Sequence, residues 1–209
     1  MKRNIVVIDG SYRTNGTTAA LIKNIISGIR KKNPDIGADI ISLRNHEILF
    51  CAGCNLCTQD QKSPIAQCSL GDEMKSYMAM ITRADVVVIA TPIYEYAPTA
   101  IMKRFMERCL PLFKFSGMGP KPRTPLRKDT HGVILLPSGA PFPINELFGM
   151  TRYPKRMLRF LLRGAGCKSI HTLCAGGMVL DTKLHRKYEK KAYKMGCRIG
   201  ARFVRDLQP

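Results

Sequence analysis

Apolar positions in this chain come in two periods. Four unbroken apolar residues, Ile5-Val6-Val7-Ile8, open the sequence, and Asp85-Val86-Val87-Val88-Ile89-Ala90 and Gly132-Val133-Ile134-Leu135-Leu136 repeat the solid run. Such runs predict strands buried on both faces, as in a parallel sheet covered by helices. Between them the period becomes helical. Leu21, Ile22, Ile25, Ile26 and Ile29 form a stripe over residues 17–32, stopped by Asn33-Pro34. Residues 38–43 are a strand candidate. Gly71-Asp72-Glu73 opens a helix with Met74, Tyr77, Met78 and Ile81 on one face, acids in its first turn and Arg83 in its last.

Pro98 starts the next helix as a first-turn residue, with Ile101, Met102, Phe105, Met106 and Cys109 inward and Pro111 as its end. Residues 115–130 are basic and rich in Pro and Gly, and read as one long loop. A helix near residues 153–163, a strand over 169–175 and a helix from about residue 182 to 207 complete the chain. That last helix carries Leu184, Tyr188, Ala192, Met195 and Ile199 inward and Lys187, Lys190, Lys191, Lys194, Arg198 and Arg205 outward.

Strands and helices alternate five times with no internal repeat or linker. The pattern predicts a single α/β domain over residues 1–209, a doubly wound, five-stranded parallel sheet with a cysteine-rich insertion at about residues 46–70, after the second strand. Right-handed crossovers place helices on both faces and ligands at the carboxyl ends of the strands, near the point where the strand order reverses. Three polar loops follow strand ends, at residues 10–18, 91–97 and 137–141, and are expected to meet at one site.

Composition narrows the class. A chain of 209 residues that is 45% apolar buries a full core. The first apolar run stops at Asp9, too short for a signal peptide, and no stretch approaches the ~20 apolar residues that span a bilayer. A cytoplasmic protein without membrane contact is expected. The net charge of +19 is uneven, with 11 Lys/Arg against 9 Asp/Glu in residues 1–100 and 23 against 6 in residues 101–209. A solvated face accounts for the basic side of the last helix. No interleaved aromatic and basic residues or groove-reading motif accompany it, so nucleic acid is not the expected partner. An anionic substrate, a dinucleotide or an acidic protein suits the same surface.

The first loop has the chemistry of an anion site. Its spacing matches neither the Walker loop nor the dinucleotide fingerprint. Ser11, Thr17, Thr18, Arg13 and Asn15 supply hydroxyls, a guanidinium and an amide at a helix N-terminus, a set suited to a terminal phosphate. An ordinary strand-to-helix turn with Thr17 as N-cap fits the same residues. The cysteines are more particular. Cys51-Ala-Gly-Cys54-Asn-Leu-Cys57 is the compact Cys-x2-Cys-x2-Cys run with which three thiolates wrap one iron–sulfur cube, and Cys68 would be the fourth ligand. Zinc, a redox disulfide and free thiols are the competing uses. Cys109, Cys167, Cys174 and Cys197 read as packed thiols.

Taken together, the loops resemble the flavodoxin-like, NAD(P)H-dependent FMN reductase group, most of all its iron–sulfur flavoprotein branch. Ser11-Tyr12-Arg13-Thr14-Asn15-Gly16-Thr17-Thr18 is similar to that group's phosphate loop, with Tyr12 where proline is usual. Thr91-Pro92-Ile93-Tyr94, followed by Met102-Lys103-Arg104-Phe105-Met106-Glu107-Arg108, resembles the loop and helix after its third strand. The resemblance implies FMN with its phosphate on Ser11, Arg13, Asn15, Gly16, Thr17 and Thr18. The ring would lie along Thr91, Pro92, Ile93 and Tyr94, with Ser138 and Gly139 closing the other side, unless Tyr94 is a core tyrosine. It further implies a 4Fe-4S cluster on Cys51, Cys54, Cys57 and Cys68, although ten residues separate Cys57 from Cys68 where that branch has roughly four to seven.

The activity implied is electron transfer from NAD(P)H or a ferredoxin-like donor through FMN to an acceptor, by positioning and electrostatics rather than an acid–base pair. A homo-oligomer, dimer or tetramer, is implied as well, with residues 115–130 as the candidate contact over the flavin. A flavodoxin-type electron carrier without turnover, and a redox-sensing or nucleic-acid-binding regulator, are the rival readings.

Overall fold

The structure is a computed structural model that describes residues 3–116, 118–123, 127–179 and 182–205. The chain runs through β1 (Asn4–Asp9), α1 (Thr17–Arg30), β2 (Gly37–Ser42), α2 (Leu56–Gln59), α3 (Met74–Arg83) and β3 (Val86–Ala90). A hairpin of β4 (Ile93–Tyr94) and β5 (Ala97–Pro98) leads to α4 (Ala100–Arg108), and a second hairpin, β6 (Phe113–Ser116) and β7 (Gly119–Pro122), leads to β8 (Arg127–Pro137). Then come α5 (Ile144–Leu147), α6 (Arg152–Gly164), β9 (Cys167–Ala175) and α7 (Thr182–Arg205). The main sheet has five strands in the order β2-β1-β3-β8-β9, all parallel, with β2 and β9 at its edges. This is the flavodoxin-like α/β architecture expected from the sequence.

Successive side chains of a strand point to opposite faces, so each solid apolar run feeds two cores. Ile5, Val7, Val86, Val88, Val133 and Leu135 pack with α1 and α7. Val6, Ile8, Val87, Ile89, Ile134 and Leu136 pack with α3, α4 and α6. The α1–α7 contact is close enough to require glycine on both helices. A Cβ at Gly196 would stand 2.3 Å from the Ile25 carbonyl oxygen, and one at Gly28 would stand 2.2 Å from that of Tyr193.

Several local expectations are corrected. Pro98 does not open a helix: it pairs with Ile93 in the β4–β5 hairpin, and Thr99 is the N-cap of α4, its side chain accepting from the Met102 amide at 3.4 Å. Residues 115–130 are not one loop, since Phe113–Ser116 and Gly119–Pro122 pair as a hairpin and β8 begins at Arg127; residues 117 and 124–126 lie outside the described part. The acids before α3 are not in its first turn, because Glu73 is the N-cap and Asp72 turns inward to Arg108. Helix α1 ends at Arg30 rather than residue 32. The Arg205 side chain and the expected helix end at residue 207 lie outside the described part. Among the described residues no helix is long and apolar enough to cross a membrane.

Candidate functional site

From β1 the chain first winds outward to β2 and then returns to β3 on β1's other side, so the strand order reverses at β1. The loops leaving β1 and β3 must part there, which leaves a crevice beyond the strand ends. A cavity of about 160 Å³ lies in it. Ser11, Tyr12, Arg13, Gly16, Thr17 and Thr18 line it from the first loop, Pro92, Ile93 and Tyr94 from the second, Pro137, Ser138 and Gly139 from the third, and Met178 and Val179 from the turn after β9.

The first loop is held from below by one buried carboxylate. Asp9 Oδ1 accepts from the Ser11 amide at 2.9 Å and the Ser11 hydroxyl at 2.7 Å, while Arg44 Nη1 donates to Asp9 Oδ2 at 2.7 Å. Ser11 is therefore committed to the loop's own shape. Gly16, the N-cap of α1, brings no side chain to the first-turn amides. An uncapped helix N-terminus facing a cavity with the exposed Arg13 beside it is an anion cradle.

Thr17 Oγ1 lies 3.4 Å from His185 Nδ1, and His185 Nε2 lies 2.8 Å from the Met178 carbonyl oxygen. A carbonyl only accepts, so Nε2 donates to Met178 and Nδ1 is the ring atom that faces the Thr17 hydroxyl. Helix α7 is thus tied to the first loop. On the rim, the Tyr12 and Tyr94 rings stack with centroids 6.3 Å apart and planes 12° apart, each about half exposed. Tyr94 is not a core tyrosine.

Two expected residues do not reach the cavity. Asn15 is exposed on the loop outside the lining. Thr91 is fully buried beneath it: its Oγ1 accepts from the Thr99 amide at 3.2 Å, and Thr99 Oγ1 in turn donates to the Gly10 carbonyl at 2.6 Å. Thr91 joins the second loop to the base of the first. It does so from below.

The cysteine segment forms a separate cavity of about 70 Å³, where Cys51, Cys54, Cys57 and Cys68 meet Glu107, Arg108 and Pro111. Gly53 and Asn55 both adopt left-handed backbone, φ 65° and 59°, which turns the short spacers between the cysteines sharply. The long Cys57–Cys68 spacer is folded, not slack. Asp60 accepts from the amides of Lys62, Ser63 and Gln67, and the Arg123 guanidinium donates to the carbonyls of Cys57, Asp60 and Ser63.

Beneath it, Arg108 is 2% exposed and makes a two-pronged pair with Asp72 at 2.6 and 2.9 Å, reaching Cys68 Sγ at 3.5 Å. Burial alone would raise the Asp72 carboxyl, but Arg108 and the Leu49 and Met74 amides together hold it below the usual carboxylate range. The thiols differ. The Ser69 hydroxyl, 3.1 Å away, lowers Cys54, whereas burial and then the neighbouring cysteines raise Cys57. Among the described residues no three His, Cys, Asp or Glu side chains stand in metal-holding geometry, so the four thiols share a cavity without converging on a centre. Cys109 and Cys167 are buried, and burial pushes the Cys109 thiol up, as for a packed, inert group.

The sequence profile of the NADPH-dependent FMN reductases matches residues 3–135, well over half of the chain. The chain belongs to the NADPH-dependent FMN reductase family. Within the range of relatives, it is 30% identical over 108 residues to an iron–sulfur flavoprotein of Methanocaldococcus jannaschii, a match covering 52% of each chain. It is 26% identical over 201 residues to an FMN-dependent NADH:quinone oxidoreductase of Pelagibacter ubique, covering 91% of this chain and 96% of the other. Among solved structures, an NAD(P)H:quinone oxidoreductase from Methanothermobacter marburgensis shares the fold with a TM-score of 0.74, at 16% identity and over 95% of this chain and 100% of that one. The chain spans about half the length of the iron–sulfur flavoprotein it matches.

Seen as a member of the FMN reductase family, the chain has lining residues that loop chemistry alone does not find. Met178 and Val179 reach the cavity only because β9 is delivered to the sheet edge beside β8. Neither carries a polar signal in sequence. His185 lies on α7, remote in sequence from the loop it touches, and no spacing rule connects them.

Proposed function

We propose that this FMN reductase-family protein binds FMN non-covalently in the strand-end cavity and moves electrons from NAD(P)H, or a ferredoxin-like carrier, to an acceptor. We extend the proposal to a 4Fe-4S cluster on Cys51, Cys54, Cys57 and Cys68. The single observation that carries the flavin reading is the meeting of three separate loops around one cavity, with the uncapped N-terminus of α1 on one side and Pro92, Ile93 and Tyr94 on the other.

The residues fit the group. The first-turn amides of α1, the Thr17 and Thr18 hydroxyls and Arg13 suit the dianionic phosphate. The apolar faces of Pro92, Ile93 and Tyr94 suit a flat ring, and Ser138 and Gly139 offer the opposite wall. The cavity of about 160 Å³ is smaller than the several hundred Å³ usual for such ligands, and Tyr12 and Tyr94, stacked and half exposed on its rim, would lie against the ring where it extends beyond the cavity. Bound there, FMN supplies the chemistry of accepting a hydride and releasing electrons singly or in pairs. The protein's own part is to hold the phosphate end rigidly through Asp9 and Arg44 and to shield the ring edge with the two tyrosines.

For the cluster, support comes from the Cys-x2-Cys-x2-Cys spacing and from the four thiols lining one cavity; ligation would require them to draw together from their present positions. Helix α4 runs from Thr99, under the flavin-type loops, to Arg108 in the cysteine cavity, nine residues or about 14 Å along its axis. The homo-oligomer belongs to the same reading. Phe142, Leu147, Phe148 and Val179 are between 64% and 80% exposed, and Met118, in the stretch 115–130, is 85% exposed, so both surfaces offer apolar area for a second copy.

Anaerobic purification followed by an absorption spectrum, flavin, iron and acid-labile sulfide assays, and addition of NADH and of NADPH, tests the proposal. Bound FMN bleached by a nicotinamide supports the enzyme. Flavin that neither nicotinamide reduces leaves the carrier reading, a colourless protein overturns the whole, and flavin without iron removes the cluster alone.

A further inference from the structure

The flavin reading leaves unused a strongly basic part of the molecule, the face where α7 runs beside the sheet-edge strand β9. Two cavities of about 540 and 470 Å³ lie end to end there and share Leu173 and Lys191. The first wraps around the sheet edge itself. Thr172, Leu173 and Cys174 form its floor, Lys155 stands on one side of the sheet, already paired with Glu146 at 3.3 Å, and Lys187, without a carboxylate partner among the described residues, stands on the other. The second continues along α7 between Leu173 and the cations Lys194, Arg198 and Arg202.

Lys187, Lys191, Lys194, Arg198 and Arg202 are all exposed and repeat at intervals of three and four residues, so they form one ridge. Among the described residues none of the five pairs with a carboxylate. Like charges at this spacing destabilise a helix. From residue 187 to 202 the ridge rises about 22 Å, the length of about seven residues of extended chain.

Among the described residues no strand pairs with the outer side of edge strand β9, so at Thr172, Leu173 and Cys174, which line the groove, a further strand can add to the sheet. The buried Thr172 Oγ1 has no hydrogen-bond partner in that floor. A second copy of this chain would bring the same cations against these. A strand from a protein with carboxylates at the matching spacing would pair the edge and neutralise the ridge together. The groove also abuts the candidate flavin cavity: Gly176 lines the groove, and Met178 and Val179, just beyond it in the chain, line the cavity.

We infer that the β9–α7 groove is the docking surface of an acidic protein partner, which lays an extended, carboxylate-bearing segment along β9. The alternative is that the cations merely guard an exposed edge against aggregation.

A fluorescent peptide of alternating Glu and Val tests this on the intact protein. The peptide is expected to bind and to weaken with added salt. The triple variant K187E/K191E/R198E is expected to lose at least about tenfold in affinity, while K31E/K32E/K75E, which makes the same charge change on exposed sites elsewhere, changes little. A peptide N-methylated at alternate positions is expected to bind more weakly, because it cannot complete the strand ladder. Circular dichroism confirms that each variant is folded. No peptide binding, equal losses in both triple variants, undiminished binding of the N-methylated peptide, or tighter binding of an oligonucleotide of equal charge each overturns the inference.

Discussion

The two candidate sites are built in opposite ways. The strand-end cavity is a by-product of topology: its loops leave buried strands at the switch point, and Asp9, itself 3% exposed, fixes the first of them to Arg44 and Ser11. The cysteine cavity sits in irregular chain between β2 and α3, with three of its four cysteines exposed. A few polar clamps hold it: Asp60 and Arg123 above, Asp72 and Arg108 below. The first site has its walls before any ligand arrives. The second gathers four cysteines around one small cavity, and among the described residues they do not converge on a centre.

That contrast breaks most decisively at Arg108. Replacing it with Leu strands the Asp72 carboxylate in a buried site, which costs about 3–5 kcal/mol. We expect urea unfolding to show the loss, and iron retention to fall with it. If instead stability is unchanged and iron remains, the clamp is not what holds the cysteine segment.

Next in size is Asp9→Asn. It removes the charge that two donors of the Ser11 residue and Arg44 share, at about 2 kcal/mol, or roughly 30-fold in FMN affinity. Fluorescence titration of the apoprotein with FMN measures this, and the iron content should not move. A smaller effect follows Arg13→Ala. Arg13 is exposed, so its contribution to phosphate binding is about 1 kcal/mol, roughly fivefold in FMN affinity, and shrinks at high salt. An effect that does not depend on salt would remove Arg13 from the phosphate.

The smallest is a pH effect confined to the second site. Hydrogen bonds from Ser63, with those from Lys62 and Gln67, hold the Asp60 carboxyl well below the usual carboxylate range. A depressed carboxyl stabilises the folded loop above its unfolded value of about 3.9 and loses that contribution as pH falls further. Amide exchange at Lys62, Ser63 and Gln67 should therefore be steady from neutral pH to about 5 and then rise, relative to its intrinsic rate, as the solution is acidified. The amide of Ala20, which donates to the Gly16 carbonyl and to no carboxylate, serves as the reference from the first site.

The fold was legible because solid apolar runs and helical stripes are each set by neighbours in sequence, and both survive into the structure as the strand and helix cores. The hairpins were not. Glu95 and Tyr96 turn β4 into β5 with left-handed backbone but without the glycine or asparagine that marks such a turn, so Pro98 looked like a helix start. At the site, the hydroxyls and the guanidinium of the first loop were readable by residue type. Position was not readable: Asn15 points away, and Thr91 acts from beneath.

The sequence by itself determined the alternation of strand and helix, the hydroxyl-rich loop after the first strand and the cysteine spacing, because each rests on residues close along the chain. Tertiary structure decided what those pieces meet. It put Met178, Val179 and His185 against the first loop, drew Arg108 under Cys68, and set the cations of α7 along the open edge of β9. These contacts join residues far apart in sequence, and only the order of strands in the sheet and the helices packed on them bring such residues together.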